Sequence, residues 1–193
     1  MLEFGILNKG RKNVGEVGEV GEVGEVGDMG AMHSTEDKAS ETEKIYFYSA
    51  QEKPYGCFSN FSAHGFELNG VWWPTSEHYF QASKFAGTPY SEQIRTARSP
   101  MIAARLGRSR KQPLRADWAQ AKDDIMRQAV LRKFLSNKEI REVLLSTGNA
   151  TLIERTLGDY YWGCGTDGSG LNMLGRILME VRERLRGEQD LNE

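Results

Sequence analysis

Residues 65–87 read GFELNGVWWPTSEHYFQASKFAG, and this stretch decides the fold class. In Glu67-Leu68-Asn69-Gly70-Val71-Trp72 an Asn-Gly pair stands between apolar flanks, a strong signal for a tight β-hairpin. Pro74-Thr75-Ser76-Glu77 then opens a helix. Thr75 or Ser76 can cap its free amides, Glu77 suits the positive N-terminal end, and Gly87 ends it. Outward from this unit the helical signals dominate. Helices are expected over residues 99–106, 116–135, 138–145 and 172–185, the last carrying Leu174, Ile177, Leu178, Val181 and Leu185 as one apolar stripe. Residues 45–49 read as a strand, residues 151–156 as a second strand, and residues 158–170 as a loop. The expected fold is α+β: a mainly helical single domain with a small β element.

The chain has 193 residues, enough for one domain with a tail and a sizeable core. Its apolar runs are only a few residues long, against the roughly 20 that span a bilayer, so no membrane segment is expected. Cys57 and Cys164 stand far apart, with no zinc-ligand spacing, and a reducing, cytoplasmic setting is the default. No metal site is expected. The formal charge of −2 conceals an asymmetry: residues 1–44 hold 10 acidic and 5 basic groups, leaving 17 acidic and 20 basic to the rest. From Val14 the triplet Val-Gly-Glu occurs four times in succession. Such a stretch cannot bury enough apolar surface to offset backbone ordering. Residues 1–44 are therefore expected to be a low-complexity, disordered tail, residues 45–187 the folded domain, and residues 188–193 a short C-terminal tail.

Three stretches can carry chemistry. On the predicted helix, Glu77, Gln81 and Lys84 lie at i, i+4 and i+7, so a carboxylate, an amide and an amine share one face. Tyr79, Ala82, Phe85 and Ala86 anchor the other side. Two readings of the polar face stay open: a solvated surface, or a site whose Glu acts as acid, base or charge stabiliser and whose desolvated Lys becomes nucleophilic. The second stretch, residues 158–172, holds five glycines, Asp159, Asp167, three aromatics and, at its end, Asn172. It allows close backbone approach to a ligand, and the amides at Asn172 and beyond suit an anion. An ordinary glycine-rich loop remains the alternative. The third runs from Arg95 to Arg115 with Arg98, Arg105, Arg108, Arg110 and Lys111 between and no acidic residue. Arginine forks grip phosphate, so a phosphorylated sugar, a pyrophosphate or a nucleic-acid backbone is implied, against a solvated charged face. His64 and His78 have no metal-ligand pattern and read as structural or stacking groups.

Together these stretches, with Asn60-Phe61-Ser62, residues 73–85, Leu106-Gly107-Arg108, Asp117-Trp118, Tyr161-Trp162-Gly163 and residues 170–175, resemble the NADAR family, which includes riboflavin-biosynthesis-intermediate N-glycosidases. The resemblance covers about residues 45–187, and its motifs occur in order across the domain. It implies hydrolysis of the bond between a ribose C1 and a nitrogenous base without a cofactor. The substrate would be either a phosphorylated ribosylaminopyrimidine intermediate of riboflavin synthesis or ADP-ribosylated guanine in nucleic acid. The positions it assigns to the catalytic pocket are Glu77, Lys84, Asp159 and Trp162. Trp162, with Trp72 or Tyr79, would stack on the base; Gln81 shares the Glu77 face. Arg108, Arg110 and the backbone from Gly168 to Asn172 would hold phosphate. The alternative functions are a non-catalytic NAD or ADP-ribose-binding module and non-specific nucleic-acid binding through the basic stretch.

Overall fold

The computed structural model describes residues 42–190. The Val-Gly-Glu repeat lies outside the described residues. Strand β1 (Lys44–Phe47) pairs in parallel with β4 (Thr151–Glu154), so that Lys44 faces Thr151 and Phe47 faces Glu154. Both strands are recognisable in the sequence, but their partnership spans nearly the whole domain and is invisible to local periodicity. Strands β2 (Phe66–Leu68) and β3 (Val71–Trp73) form the expected antiparallel hairpin. Asn69 (φ 55°) and Gly70 (φ 73°) supply the two positive-φ residues of a tight turn.

Helix α1 (Ser76–Ser83) follows at once. Thr75 is its cap: the Thr75 hydroxyl accepts the His78 amide at 3.3 Å, a bond worth about 1 kcal/mol. His78 is structural, its ring bridging the Thr75 hydroxyl at 2.8 Å and the Ala97 carbonyl at 2.9 Å. The sequence reading missed α2 (Pro89–Arg95), although Thr88 caps it and Pro89 stands at its start, as Ser99 and Pro100 do for α3 (Pro100–Gly107). Helices α4 (Trp118–Ser136) and α5 (Lys138–Ser146) agree with expectation to within two residues. Helix α6 (Met173–Asp190) continues past the expected end at 185. The fold is the expected α+β domain, with six helices and two short two-stranded sheets among the described residues.

The core explains how these pieces hold together. The α6 stripe of Leu174, Ile177, Leu178, Val181 and Leu185 is buried together with Leu152 of β4 and Ile45 and Phe47 of β1. Phe58 lies edge-on to Phe47 at 5.6 Å, an arrangement worth about 0.5–1.5 kcal/mol beyond area burial. Two buried cations are integral. Arg182 donates to the Thr147 hydroxyl and the Ala150 carbonyl. Lys133 of α4 donates to the Ser59 carbonyl at 2.9 Å, and burial pulls its pKa down to about 7. Through Ser59, Lys133 fixes the segment after Phe58 against α4, and this segment forms one wall of the cleft described next.

Candidate active site

A cleft of about 660 Å³ opens between α1, the segment 48–51 after β1, the segment 59–61, Arg108 after α3, and the residues following β4. Helix α1 turns Glu77, Phe80, Gln81 and Lys84 into it. Glu77 is 6% exposed and Gln81 5%, so the polar stripe of α1 is not a solvated face. The hairpin, the Thr75 cap and the apolar contacts of Ala82 and Phe85 together aim that stripe at the cleft.

The groups in the cleft are electrostatically coupled. Gln81 Nε2 donates to Glu77 Oε1 at 2.7 Å, and the Glu77 amide donates to the Asn60 carbonyl at 3.1 Å. Burial pushes the Glu77 carboxyl up; the Gln81 amide, the Lys84 ammonium and the Arg108 guanidinium pull it back, and Asp159 pushes with burial. Lys84 Nζ donates to the Gly107 carbonyl at 3.3 Å and lies 5.4 Å and 5.6 Å from the ring centres of Phe80 and Trp118. Burial pulls the Lys84 pKa down, Glu77 opposes the shift, and Arg108 and Arg110 add to it. A larger neutral-amine fraction follows, as a nucleophilic lysine requires.

Across the cleft stand Asp159 and Glu154. Asp159 Oδ1 accepts the amides of Tyr161 at 2.9 Å and Trp162 at 2.8 Å, which fixes the loop and its carboxylate together. Trp162 packs edge-on to Phe80 at 5.1 Å, and Phe80 in turn meets Trp118 at 5.0 Å, so an aromatic row joins the loop, α1 and α4. Glu154, at the end of β4, is pushed up to about 7 by burial and by Asp159 and Glu77, against a hydrogen bond from Thr156. The sequence reading passed over Glu154. Its signal was the period-2 pattern of Thr151-Leu152-Ile153-Glu154, which puts Glu154 on the same side as the fully buried Leu152.

Of the residues singled out from the sequence, Glu77, Gln81, Lys84, Arg108, Asp159 and Trp162 meet in this cleft. The others stand elsewhere. Trp72 is 58% exposed on β3, and Tyr79 packs on Trp73 at 5.0 Å while donating its hydroxyl to Gln128. Arg110 does not line the cleft, although its charge reaches Lys84. Gly168, with φ 81°, does not line it either. The Asn172 side chain clasps β4, donating to the Leu152 carbonyl at 2.8 Å and accepting the Glu154 amide at 2.9 Å.

Two expectations require correction. The amides of Asn172, Met173 and Leu174 do not form an open anion site, because the carbonyls of Gly163, Tyr161 and Trp162 already accept them. Nor is the basic stretch uncompensated throughout: Arg95 pairs with Glu92 and Arg115 with Asp117, acids just beyond its two ends. Arg98, Arg105, Arg108, Arg110 and Lys111 make no ion pair with the described residues. Among the described residues no group of three or more His, Cys, Asp or Glu side chains is arranged to hold a metal ion.

The closeness of α1 and α3 gives a first prediction. A Cβ on Gly107 would lie 2.0 Å from Gln81 Oε1 and 2.7 Å from Gln81 Cβ. Gly107→Ala must therefore displace Gln81 from Glu77 and tilt the carbonyl that holds Lys84. The expected cost is about 1–3 kcal/mol of stability, as for other overpacked contacts, together with loss of most turnover. Thermal melting and a turnover assay check it; a variant with wild-type values in both would show that Gln81 is free to move.

Comparison with known proteins bears on this cleft. The family model described as NADAR domain matches residues 46–186. N-glycosidase YbiA of Shigella flexneri serotype 5b is 50% identical over 145 residues, spanning 75% of this chain and 90% of that protein. The chloroplastic riboflavin biosynthesis protein PYRR of Zea mays is 40% identical over 162 residues, which cover 76% of this chain and 26% of that longer protein. The NMR structure of the E. coli protein YbiA superposes with a TM-score of 0.72 at 49% identity, covering 77% of this chain and 88% of that one.

Proposed function

The chain belongs to the NADAR domain family and is an N-glycosidase, a hydrolase of N-glycosyl bonds, and on that premise we propose that its substrate is a phosphorylated ribosylaminopyrimidine. One observation carries this reading: Glu77, Lys84 and Asp159 line a single cleft of about 660 Å³, within the size range of nucleotide-sized ligand sites. The riboflavin-biosynthesis name of the maize relative supports the choice of substrate.

Cleavage of a glycosidic C–N bond builds positive charge on the sugar, so carboxylates held close to C1 lower the barrier. In this reading Glu77 and Asp159 supply that charge. The Lys84 amine attacks C1 as the C1–N bond breaks and the base leaves; the bond from C1 to the ring oxygen then opens, that oxygen taking the proton shed by Nζ by way of Glu77, and a Schiff base remains. Water then releases the sugar and restores the amine. Trp162 offers the base a ring face, and Arg108 a fork for the phosphate. Free Cys57 and Cys164 suit a reducing, cytoplasmic setting. Among the described residues no helix is long and apolar enough to cross a membrane.

A second substrate, ADP-ribosylated guanine in nucleic acid, is favoured by Arg98, Arg105, Arg110 and Lys111, whose charges lie beyond the lining of the cleft and suit a phosphate backbone. One preparation assayed against both substrates, with product masses recorded, tests the choice. Free aminopyrimidine and ribose phosphate are the expected products. Release of ADP-ribose alone would assign the second substrate. Tight binding of ADP-ribose with no release from either would make the domain a binding module instead.

A further inference from the structure

We propose that Glu154 is a further catalytic residue of this site, the acid whose proton passes to the base nitrogen as the C1–N bond breaks. The proposal rests on the N-glycosidase reading and assigns the one step that Glu77, Lys84 and Asp159 leave without a donor. Whether the atom arriving at C1 is Lys84 Nζ or a water oxygen, the electron pair of the broken bond stays on nitrogen. That nitrogen must take a proton to leave as a neutral amine. Glu154 gives this proton, the proton shed by the arriving nucleophile goes to Glu77, and exchange with water returns one to Glu154. Atoms and charge then balance without a co-reactant beyond water.

The geometry favours Glu154 over the two other carboxylates. It ends β4, where its amide is held by Asn172 Oδ1 at 2.9 Å and its carbonyl accepts the amides of Thr156 at 3.0 Å and Cys164 at 2.9 Å. Three tethers fix the backbone from which the Glu154 side chain meets the cleft it lines together with Glu77, Lys84 and Asp159. Its surroundings differ from those of its neighbours. Glu77 has the Gln81 amide as donor and Lys84 and Arg108 as nearby cations, and Asp159 has two backbone amides. Glu154 has the Thr156 hydroxyl and two carboxylates for company, with no cation among the groups that shift it. Of the two buried glutamates of the cleft, the proton settles on the one whose charged form is less supported. Burial and the two neighbouring acids accordingly push Glu154 up to about 7, where an acid is half-charged at neutral pH. The other titratable groups that share the cleft are Tyr48 after β1, Lys84 on α1 and Arg108 after α3.

The test uses the full chain and the substrate it turns over. The wild-type kcat/KM should fall as pH rises through about 7, because an acid works only while protonated, whereas Glu77 as base and Lys84 as amine lose activity in the opposite direction, as pH falls. Glu154→Gln keeps the shape and a hydrogen-bond donor but has no acidic proton. It should lose at least about a hundredfold in kcat, keep KM within a few fold, and no longer show the alkaline fall. Glu154→Asp should retain that fall at a reduced rate, which separates an acid from a carboxylate that only braces the loop. A wild-type profile that is flat from about pH 6 to pH 8.5 overturns the proposal. So does a Glu154→Gln variant that keeps wild-type turnover or keeps the alkaline fall, since the proton then comes from another group. If Glu154→Gln does not fold, the wild-type and Glu154→Asp profiles decide. Failure of the wild type to release base from any substrate is a different result, and it removes the hydrolase reading itself.

Discussion

Glu77→Gln should lose at least about a hundredfold in turnover while its melting temperature is preserved. The two halves of that expectation have separate causes. The amide has the shape of the carboxylate and still accepts from Gln81 Nε2, so the α1 stripe and its contact with the segment 59–61 stay in place. A buried carboxylate already resists ionisation, as the upward push on Glu77 records, so removing the charge relieves a desolvation cost and does not open a gap. What disappears is the negative charge beside C1 and the acceptor for the nucleophile's proton. Because the Glu77 residue is only 6% exposed, little solvent stands beside it to take over that work. Turnover and melting measured on one preparation check both halves. A variant with unchanged turnover would return Glu77 to a purely structural part, and a variant that melts far below the wild type would show that the charge itself is needed for folding.

Borohydride added during turnover should trap the sugar on the wild-type chain and leave Lys84→Ala unmodified. The trapped species is a secondary amine between Lys84 Nζ and the sugar C1, read as a mass increase that maps to the peptide carrying Lys84. Turnover of Lys84→Ala should fall at least about a hundredfold, and Lys84→Arg should fail as badly, because a guanidinium keeps the positive charge but forms no Schiff base. This pair separates nucleophilic from electrostatic function. If Lys84→Arg recovers activity, the ammonium serves as a charge; if Lys84→Ala turns over at the wild-type rate, the covalent route is wrong. The surroundings favour the amine: Phe80 and Trp118 flank Nζ, and the Arg108 and Arg110 charges disfavour a third positive group beside them.

Local rules read part of this site directly. Asn69-Gly70 marked the hairpin, Thr75 the helix start, and the spacing of Glu77, Gln81 and Lys84 put three functional groups on one face, because each of these features is decided within a few residues. What local rules could not supply was the partner of that face. Glu154 reaches the cleft only because β4 lies beside β1 and Asn172 clamps its end, and both contacts link distant segments. Residue type also leaves the places of the aromatics open. Tyr79 spends its ring on Trp73, whereas Trp162 turns its ring toward Phe80 at the cleft, and nothing in residue type distinguishes the two. The basic stretch is less bare than its acid-free sequence shows for a simpler reason: the window stops short of Glu92 and Asp117, and a side chain pairs across such a boundary readily.

The parallel pairing of β1 with β4 also bears on how the catalytic apparatus comes into being. A parallel pair cannot close until the second strand has been made and the intervening chain has paid its loop entropy, so this contact belongs to the late, non-local part of folding. The α1 residues exist on the chain long before Glu154 and Asp159 can face them. A growing or truncated polypeptide that ends before β4 therefore carries Lys84 and Glu77 with no opposite wall. The cleft, and with it any activity that draws on both of its walls, is therefore complete only once β4 has joined β1.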